Sequence, residues 1–128
     1  MCLFFYNYGV RHSEGCEKMV KDYASLVEAG RGLNPKVFSF PRLALLGALA
    51  PFEQHGALFS ELQSALKLND GVLQSNLKAL TAMGYVKAEK VRVNGKEVTN
   101  YRITGAGFEE FIRVKKWLKE FVERGEGE

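Results

Sequence analysis

The sequence predicts an α+β fold that is mostly helical and contains very little sheet. Two runs rich in β-formers flank Asn94-Gly95, and this dipeptide predicts a hairpin because both turn residues must accept a positive φ. Before the hairpin, leucines recur at the spacing of amphipathic helices, and an apolar stripe after it predicts one long final helix. With 128 residues, the chain is the size of one domain.

The composition is that of a folded protein without a membrane span. Hydrophobic residues make up 46% and charged residues 26% of the chain, and no apolar run approaches the ~20 residues that cross a bilayer. The first ten residues lack the basic region and the long apolar region of a signal peptide. Because Cys2 and Cys16 are the only cysteines, we expect no disulfide scaffold and a cytoplasmic location. The lack of a long apolar run predicts no membrane partner.

The net charge of +3 is concentrated in the middle of the chain. Residues 36–104 carry nine basic and five acidic side chains, whereas residues 1–35 carry four of each, and residues 105–128 carry five basic and six acidic. A local basic excess of this size fits a phosphate-binding surface.

Two helices are predicted before residue 50. Residues 17–29 place Tyr23 and Leu26 on one apolar stripe, and glycines at 30 and 32 end this helix. The next helix carries Pro41 in its first turn, where a missing N–H costs little. It is apolar on nearly every side, which predicts a helix buried in the middle of the domain.

A very short strand and two short helices follow. We expect the strand at Ala57–Leu58 and a helix from Ser60, where Gln63 can reach back to the backbone N–H of the cap. Asn69 or Asp70 can cap the second short helix, and the glycine at 84 can end it as a left-handed residue. Its buried seam consists of Leu73, Leu77 and Leu80.

After the hairpin, Thr104 is expected to cap the long final helix. The main apolar stripe of this helix consists of Phe108, Phe111, Ile112, Leu118, Phe121 and Val122, and it is widened by Val114 and Trp117. The stripes of the two terminal helices exceed what one chain can cover, so we expect a homodimer. The residues expected at its interface are Tyr23, Leu26, Phe111, Val114, Trp117, Leu118 and Phe121.

Two short helices joined by a tight turn and followed by a two-stranded or three-stranded ribbon make a winged helix-turn-helix. The expected division is therefore a dimerisation arm and helix at 1–35, this motif at 36–104 and a second dimerisation helix at 105–128. A helix enters the major groove of DNA when one face is buried and the other carries hydrogen-bonding side chains. The residues expected to bind DNA are Asp70, Gly71, Val72, Gln74, Ser75, Lys78, Lys90, Arg92, Asn94 and Lys96.

Several short motifs accompany this helix and the hairpin. They are Leu68, Asp70-Gly71, Leu77-Lys78-Ala79-Leu80, Gly84-Tyr85-Val86, Tyr101-Arg102-Ile103-Thr104 and Gly107. On these motifs, residues 42–118 resemble the small winged helix-turn-helix regulators of the MarR/ArsR-like superfamily, in particular minimal archaeal and bacterial members without a separate effector domain. The resemblance implies a homodimeric transcription regulator that binds double-stranded DNA with residues 68–83 in the major groove.

One departure from the family pattern keeps other functions open. Relatives usually carry Arg, Lys or His where this chain has Ser75 and Asn76, so this helix lacks a bidentate guanine reader and can bind DNA weakly or through its shape. Three hypotheses remain. They are a dimeric DNA-binding regulator, a winged-helix module that docks on the transcription machinery without reading sequence, and a regulator gated by a small molecule or by redox chemistry.

Metal sites and catalytic sites are not indicated. Cys2, His12 and Cys16 match no strong ligand spacing, so we expect no metal and no cofactor. Cys16 could sense redox state, but a lone thiol is usually a packed side chain. His55 has no nearby nucleophile or carboxylate pattern, and the chain contains neither a phosphate-cradling glycine loop nor a paired-carboxylate motif. We therefore expect no enzyme.

Overall fold

The computed structural model describes residues 14–124, in which five α-helices and three strands follow one another in the predicted order. These elements are α1 (Glu14–Gly30), α2 (Phe40–Leu49), β1 (Ala57–Leu58), α3 (Phe59–Leu66), α4 (Asp70–Ala82), β2 (Val86–Val93), β3 (Lys96–Ile103) and α5 (Gly105–Glu123). Two short 3-10 helices lie at Pro35–Val37 and Ala50–Phe52. The prediction of a mostly helical α+β fold is confirmed.

The described residues form two compact units, and the boundary between them falls inside α5. One unit spans Asn34–Ile112, and the other combines the described residues up to Leu33 with those from Arg113 onward. The core of the first unit is built on α2, as its continuous apolar sequence predicts. Leu45, Leu46 and Leu49 are completely buried, and each contributes about 1.5–3 kcal/mol relative to exposure.

The start of α3 differs from the prediction. The helix begins at Phe59 directly after β1, and Glu61 Oε1 accepts a hydrogen bond of 2.8 Å from the backbone N–H of Leu58. Ser60 is therefore inside the first turn and is not the cap. Gln63 instead donates from Nε2 to the carbonyl oxygen of Leu68 at 3.4 Å, across the turn to the next helix. Because the Glu61 side chain caps the Leu58 N–H, the helix starts earlier than the capping pattern indicated.

The turn and the cap that precede α4 are clearly defined. Lys67 ends α3 in the left-handed region, with φ of 55°. Asn69 then caps α4, since its Oδ1 accepts a hydrogen bond of 2.8 Å from the N–H of Val72. Of the two candidate caps, Asn69 takes this role. Asp70 lies in the first turn, where its negative charge interacts favourably with the positive end of the helix dipole.

The three strands form one antiparallel sheet in the order β1-β3-β2. Register runs without interruption from Val86 opposite Ile103 to Val93 opposite Lys96. The turn residues Asn94 and Gly95 have φ of 53° and 78°, as the predicted hairpin requires. We call this β2–β3 hairpin the wing.

The junction between the wing and α5 explains several of the recurring motif residues. Thr104 Oγ1 donates to the Gly84 carbonyl at 2.6 Å and accepts from the Gly107 N–H at 3.0 Å, so it caps α5 as predicted. The Thr104 N–H also donates to the Tyr85 carbonyl at 3.0 Å. A Cβ at Gly107 would overlap that same carbonyl oxygen. These residues therefore hold the start of α5 against the segment before β2.

A buried carboxylate connects α5 to the segment before α2. Glu110 is 6% exposed, and its Oε2 accepts a hydrogen bond of 2.9 Å from the Asn34 N–H. Asn34 Nδ2 donates to the Tyr85 hydroxyl at 3.1 Å. A charged residue on this face explains why hydrophobicity alone did not locate the stripe of α5. Ile112 and Val122, which were expected on the stripe, are 42% and 59% exposed because the buried face instead runs through residues 107, 110, 111 and 114.

The second unit is organised around aromatic side chains of α1 and the end of α5. Trp117 Nε1–H donates to the Leu26 carbonyl at 2.8 Å, and the Trp117 ring stacks on Phe121 at a centroid distance of 5.1 Å. Tyr23 lies 6.1 Å from Phe121, and the Arg124 guanidinium lies 5.5 Å from the Tyr23 ring. Within residues 14–124, no helix is long and apolar enough to cross a membrane.

Candidate nucleic-acid interface

Helix α4 has a buried face and an exposed polar face, as the leucine seam predicts. Leu73, Leu77 and Leu80 are buried in the core. Of the residues expected to bind DNA, Asp70, Gly71, Gln74, Ser75 and Lys78 are exposed on this helix, and Val72 is half-buried. Of these candidate residues, Gly71, Ser75 and Lys78 lie nearest the centre of the exposed face at 100° per residue.

Gln74 lies on one flank of α4. Together with the start of α3 and with β3, it lines a cleft of about 280 Å³. The lining residues are Leu58, Phe59, Ser60, Gln74, Val98, Thr99 and Tyr101. Because β3 supplies Val98, Thr99 and Tyr101 to this lining, Gln74 lies on the β3 side of the helix. Burial raises the pKa of the Tyr101 hydroxyl above its ordinary value of 10.0, and the side chain is neutral near pH 7.

Ser75 and Asn76 both form hydrogen bonds with their own helix. Ser75 Oγ donates to the Val72 carbonyl at 3.3 Å, and Asn76 Nδ2 donates to the same oxygen at 2.8 Å. In this conformation, the Ser75 hydroxyl has its acceptor lone pairs available at the exposed face. It can therefore accept from the amino group of cytosine or adenine in a major groove.

The four candidate residues of the wing are all exposed, but they do not share one face. Since facing residues of an antiparallel pair lie on the same side of a sheet, Lys90 and Arg92 share one face with their partners Thr99 and Glu97. Lys96 lies opposite Val93 and so belongs to the other face. Arg92 also donates from a terminal guanidinium nitrogen to the Gly95 carbonyl at 3.1 Å, which ties it to the turn. The tip therefore presents a cation on each side.

Two other cations of the wing are engaged at its base. Lys87 and Arg102 both pair with Glu89, with N–O distances of 3.7 and 3.5 Å. Their charge is partly balanced there, so the basic excess of residues 36–104 is expressed mainly at the wing tip and at Arg42 of α2, whereas on α4 the charge of Lys78 is offset by that of Asp70.

The sequence did not identify Arg42 as part of this surface. Arg42 lies in the first turn of α2, and its Nε donates to Asn76 Oδ1 on α4 at 2.9 Å. One terminal nitrogen donates to the Lys36 carbonyl at 2.7 Å. The bond joins residues 34 positions apart in the chain, and no local spacing signals it. Only the tertiary packing of α2 on α4 brings them together.

The residues expected at a dimer interface divide into two groups. Val114 is completely buried and Phe111 is nearly so within the single chain, so neither side chain is available to contact a second copy. The reason is the position of the α5 stripe, which turns both side chains inward. Tyr23 and Phe121 are exposed, and Leu26, Trp117 and Leu118 are half-buried.

The candidate metal ligands cannot be placed on this surface. Cys2 and His12 fall outside the described residues, as does the side chain of Cys16. Between residues 14 and 124, no group of three or more His, Cys, Asp or Glu side chains is arranged to hold a metal ion. His55 is exposed in its loop, and its carbonyl accepts a hydrogen bond from Asn100 Nδ2 at 3.0 Å.

Comparison with known proteins agrees with this architecture. Residues 42–122 match the protein family described as winged helix DNA-binding domain, whereas no curated protein matches the chain. A solved transcriptional regulator homologue from Pyrococcus horikoshii OT3 is similar, with 30% identity and a TM-score of 0.66, over 79% of this chain and 96% of that one.

Two more distant structures share the fold. One is the homodimeric winged helix-turn-helix DNA-binding domain of a possible ArsR-family transcriptional regulator from Mycobacterium bovis. It has 23% identity and a TM-score of 0.56, over 91% of this chain and 96% of that one. The other is the heme sensor protein PefR from Streptococcus agalactiae, with 12% identity and a TM-score of 0.61, over 86% of this chain and 75% of that one.

The family match covers more than half of the chain, and the helix-turn-helix pair and the wing lie inside it. The chain therefore belongs to the winged helix DNA-binding domain family, which confirms its resemblance to winged helix-turn-helix transcription regulators and the expectation of a DNA-binding protein rather than an enzyme.

Proposed function

We propose that this protein is a sequence-specific transcription regulator that binds double-stranded DNA as a homodimer in the cytoplasm. The observation that carries this proposal is the two-sided character of α4. Its leucine seam is buried, while Gly71, Ser75 and Lys78 are presented together on the opposite face. A helix about 10–12 Å across fits the major groove, which is about 12 Å wide.

The wing supplies a second contact with the DNA backbone. Arg92 and Lys96 project from opposite faces of its tip. The minor groove is only about 6 Å wide, so a tip inserted into it meets phosphates of both strands, one on each side. Lys90 adds a cation further along the face that Arg92 occupies. In this arrangement, the wing contributes affinity for any sequence.

Sequence reading falls to the side chains of α4. Ser75 presents hydroxyl lone pairs near the centre of the exposed face, and Gln74 can pair with adenine from the flank near β3. Lys78 can reach either guanine or phosphate. Two copies in a dimer would read two related half-sites.

The proposed dimer uses the second unit. Tyr23 and Phe121 are exposed there beside the half-buried ring of Trp117. Aromatic groups of this size are costly to leave in water and are typical of interfaces. The solved domain from Mycobacterium bovis is described as homodimeric, and its likeness in fold supports the proposal.

Selection from random duplexes tests DNA binding and sequence specificity together. The expected result is an enriched motif with two related halves, bound with an affinity that falls steeply as salt rises. The log–log slope should change by roughly 0.9 for each phosphate contact. Arg92→Ala and Lys96→Ala should weaken all duplexes alike and flatten the slope, because both contact phosphate.

Gln74→Ala should behave differently from the wing variants. It should narrow the gap between the selected site and random DNA, by about 1–3 kcal/mol for a bidentate contact, and leave the salt slope unchanged. A matched control is Arg31→Ala, which removes an exposed cation paired with Glu28 in the other unit. Absence of duplex binding at low salt would contradict the proposal and favour the winged-helix module that docks on protein. A ligand-dependent change in binding would instead add a small-molecule gate.

A further inference from the structure

We propose that Arg42 of α2 is a phosphate-contacting residue of the DNA interface, held beside α4 by Asn76. This inference rests on the proposed function and adds a contact that lies outside α4 and the wing. It addresses an evident gap in the interface, since the exposed face of α4 carries Lys78 and no arginine.

The position of Asn76 defines where Arg42 lies. Around the helical wheel, Asn76 is on the flank of α4 opposite to that of Gln74, which faces β3. A helix in the major groove nearly fills its width, so its two flanks face the two phosphate-lined walls. The Arg42 Nε–H bond to Asn76 Oδ1, at 2.9 Å, places the guanidinium at one of these walls.

The guanidinium is fixed in place from both sides. The Lys36 carbonyl accepts from one terminal nitrogen at 2.7 Å, and Asn76 is itself anchored through Nδ2 to the Val72 carbonyl at 2.8 Å. These bonds to Arg42 use two of the five N–H donors that a guanidinium carries, which leaves three for a phosphate. A pre-positioned arginine loses little side-chain entropy on binding DNA.

Burial also suits a contact of this kind. Arg42 is half-buried, so its charge is screened less than that of a freely solvated lysine. Lys36, the residue whose carbonyl holds the guanidinium, is exposed beside it and adds a second cation. The α2 side of α4 therefore carries a basic pair, just as the wing carries Lys90 and Arg92.

The competing explanation is that Arg42 only ties α2 to α4. The two roles separate experimentally, because a structural tie depends equally on both partners of the bond, whereas a phosphate contact depends on the charge of Arg42. Binding of wild type, Arg42→Gln, Asn76→Ala and Arg31→Ala to a selected duplex and to a random duplex should be measured by fluorescence anisotropy across a salt series. The thermal transition of each variant checks folding.

Arg42→Gln should weaken both duplexes alike, by roughly tenfold or more for a charge-assisted contact. It should also flatten the salt slope by about 0.9 for each protomer bound. Asn76→Ala should flatten the slope less than Arg42→Gln does, because the cation remains although one of its two anchors is lost, and Arg31→Ala should match wild type. A wild-type slope for Arg42→Gln, or equal flattening by Asn76→Ala, would overturn the assignment while the proposed function stands.

A measurement on the wild-type protein covers the case in which Arg42→Gln does not fold. Duplex DNA should slow the modification of Arg42 by phenylglyoxal, followed by mass spectrometry, while Arg31 continues to react. Equal reactivity of Arg42 with and without bound duplex would refute the contact. If the wild type binds no duplex at low salt, then the proposed function and this inference fall together.

Discussion

Gly107 shows how a single missing side chain fixes the position of α5. The Tyr85 carbonyl oxygen occupies the space that a Cβ would need, and it already accepts the Thr104 N–H. We expect Gly107→Ala to destabilise the protein by about 1–3 kcal/mol, because backbone on both sides would have to move. Gly105→Ala is the matched control, since nothing lies within 4 Å of its Cβ position and alanine favours a helix. Urea unfolding compares the two, and equal stabilities would contradict this account.

Tyr101 gives the protein a specific response to alkaline pH. Burial raises its pKa above 10.0 in the folded state, whereas the unfolded chain ionises near that value. Tyr101 therefore keeps its hydroxyl proton to higher pH in the folded state than in the unfolded chain. Its contribution to the free energy of unfolding is fully present below pH ~10 and is lost as the pH rises through the folded pKa. Thermal unfolding from pH 8 to 11 should show a smaller decline in Tyr101→Phe than in wild type. Parallel declines would show that the buried hydroxyl does not contribute.

Among the elements, α4 depends on its N-terminal cap because the first N–H groups of a helix have no partner within the helix. Asn69 Oδ1 accepts from the Val72 N–H at 2.8 Å, whereas Asp70 acts only through its charge near the helix end. We expect Asn69→Ala to cost about 1 kcal/mol of unfolding free energy and Asp70→Ala clearly less. Chemical denaturation measures both. The reverse order would mean that Asp70 is the effective cap in solution.

The elements also show what the sequence could predict. The wing turn at Asn94-Gly95 and the seam of α4 depend on residues close in sequence, so local rules located both. The start of α3 was missed because the Glu61 side chain accepts a hydrogen bond from the Leu58 N–H, so that Leu58 rather than Ser60 takes the cap position. The α5 stripe was misplaced because Glu110 is buried through a bond to Asn34, 76 residues away. Contacts of that range leave no periodic signal in the chain.

At the scale of the whole molecule, the basic excess lies in the segment that contains α4 and the wing, while the other unit contains the stacked aromatic group of Tyr23, Trp117 and Phe121. Residues 36–104 hold the entire basic excess, and α4 and the wing lie within them. The candidate site could thus be predicted in part from the charge and polarity of the sequence. Arg42 was not, because its bond to Asn76 exists only in the packed fold.

The exposed aromatic group makes oligomeric state the most direct test of the whole molecule. Tyr23 and Phe121 lie 6.1 Å apart beside Trp117, and covering them requires a second copy in the proposed dimer. We expect light scattering at micromolar concentration to give the mass of a dimer for wild type and a lower mass for Phe121→Glu, because a buried unpaired carboxylate opposes association.

Ile112→Glu provides the control for this substitution. Ile112 is 42% exposed and Phe121 is 40% exposed, and both lie on α5, but at 100° per residue Ile112 projects from the side opposite Val114. The Ile112→Glu variant should therefore remain dimeric. If both variants become monomeric, a general loss of stability would explain the result. A monomeric wild type would exclude the dimer, and the protein would then have to read a single half-site.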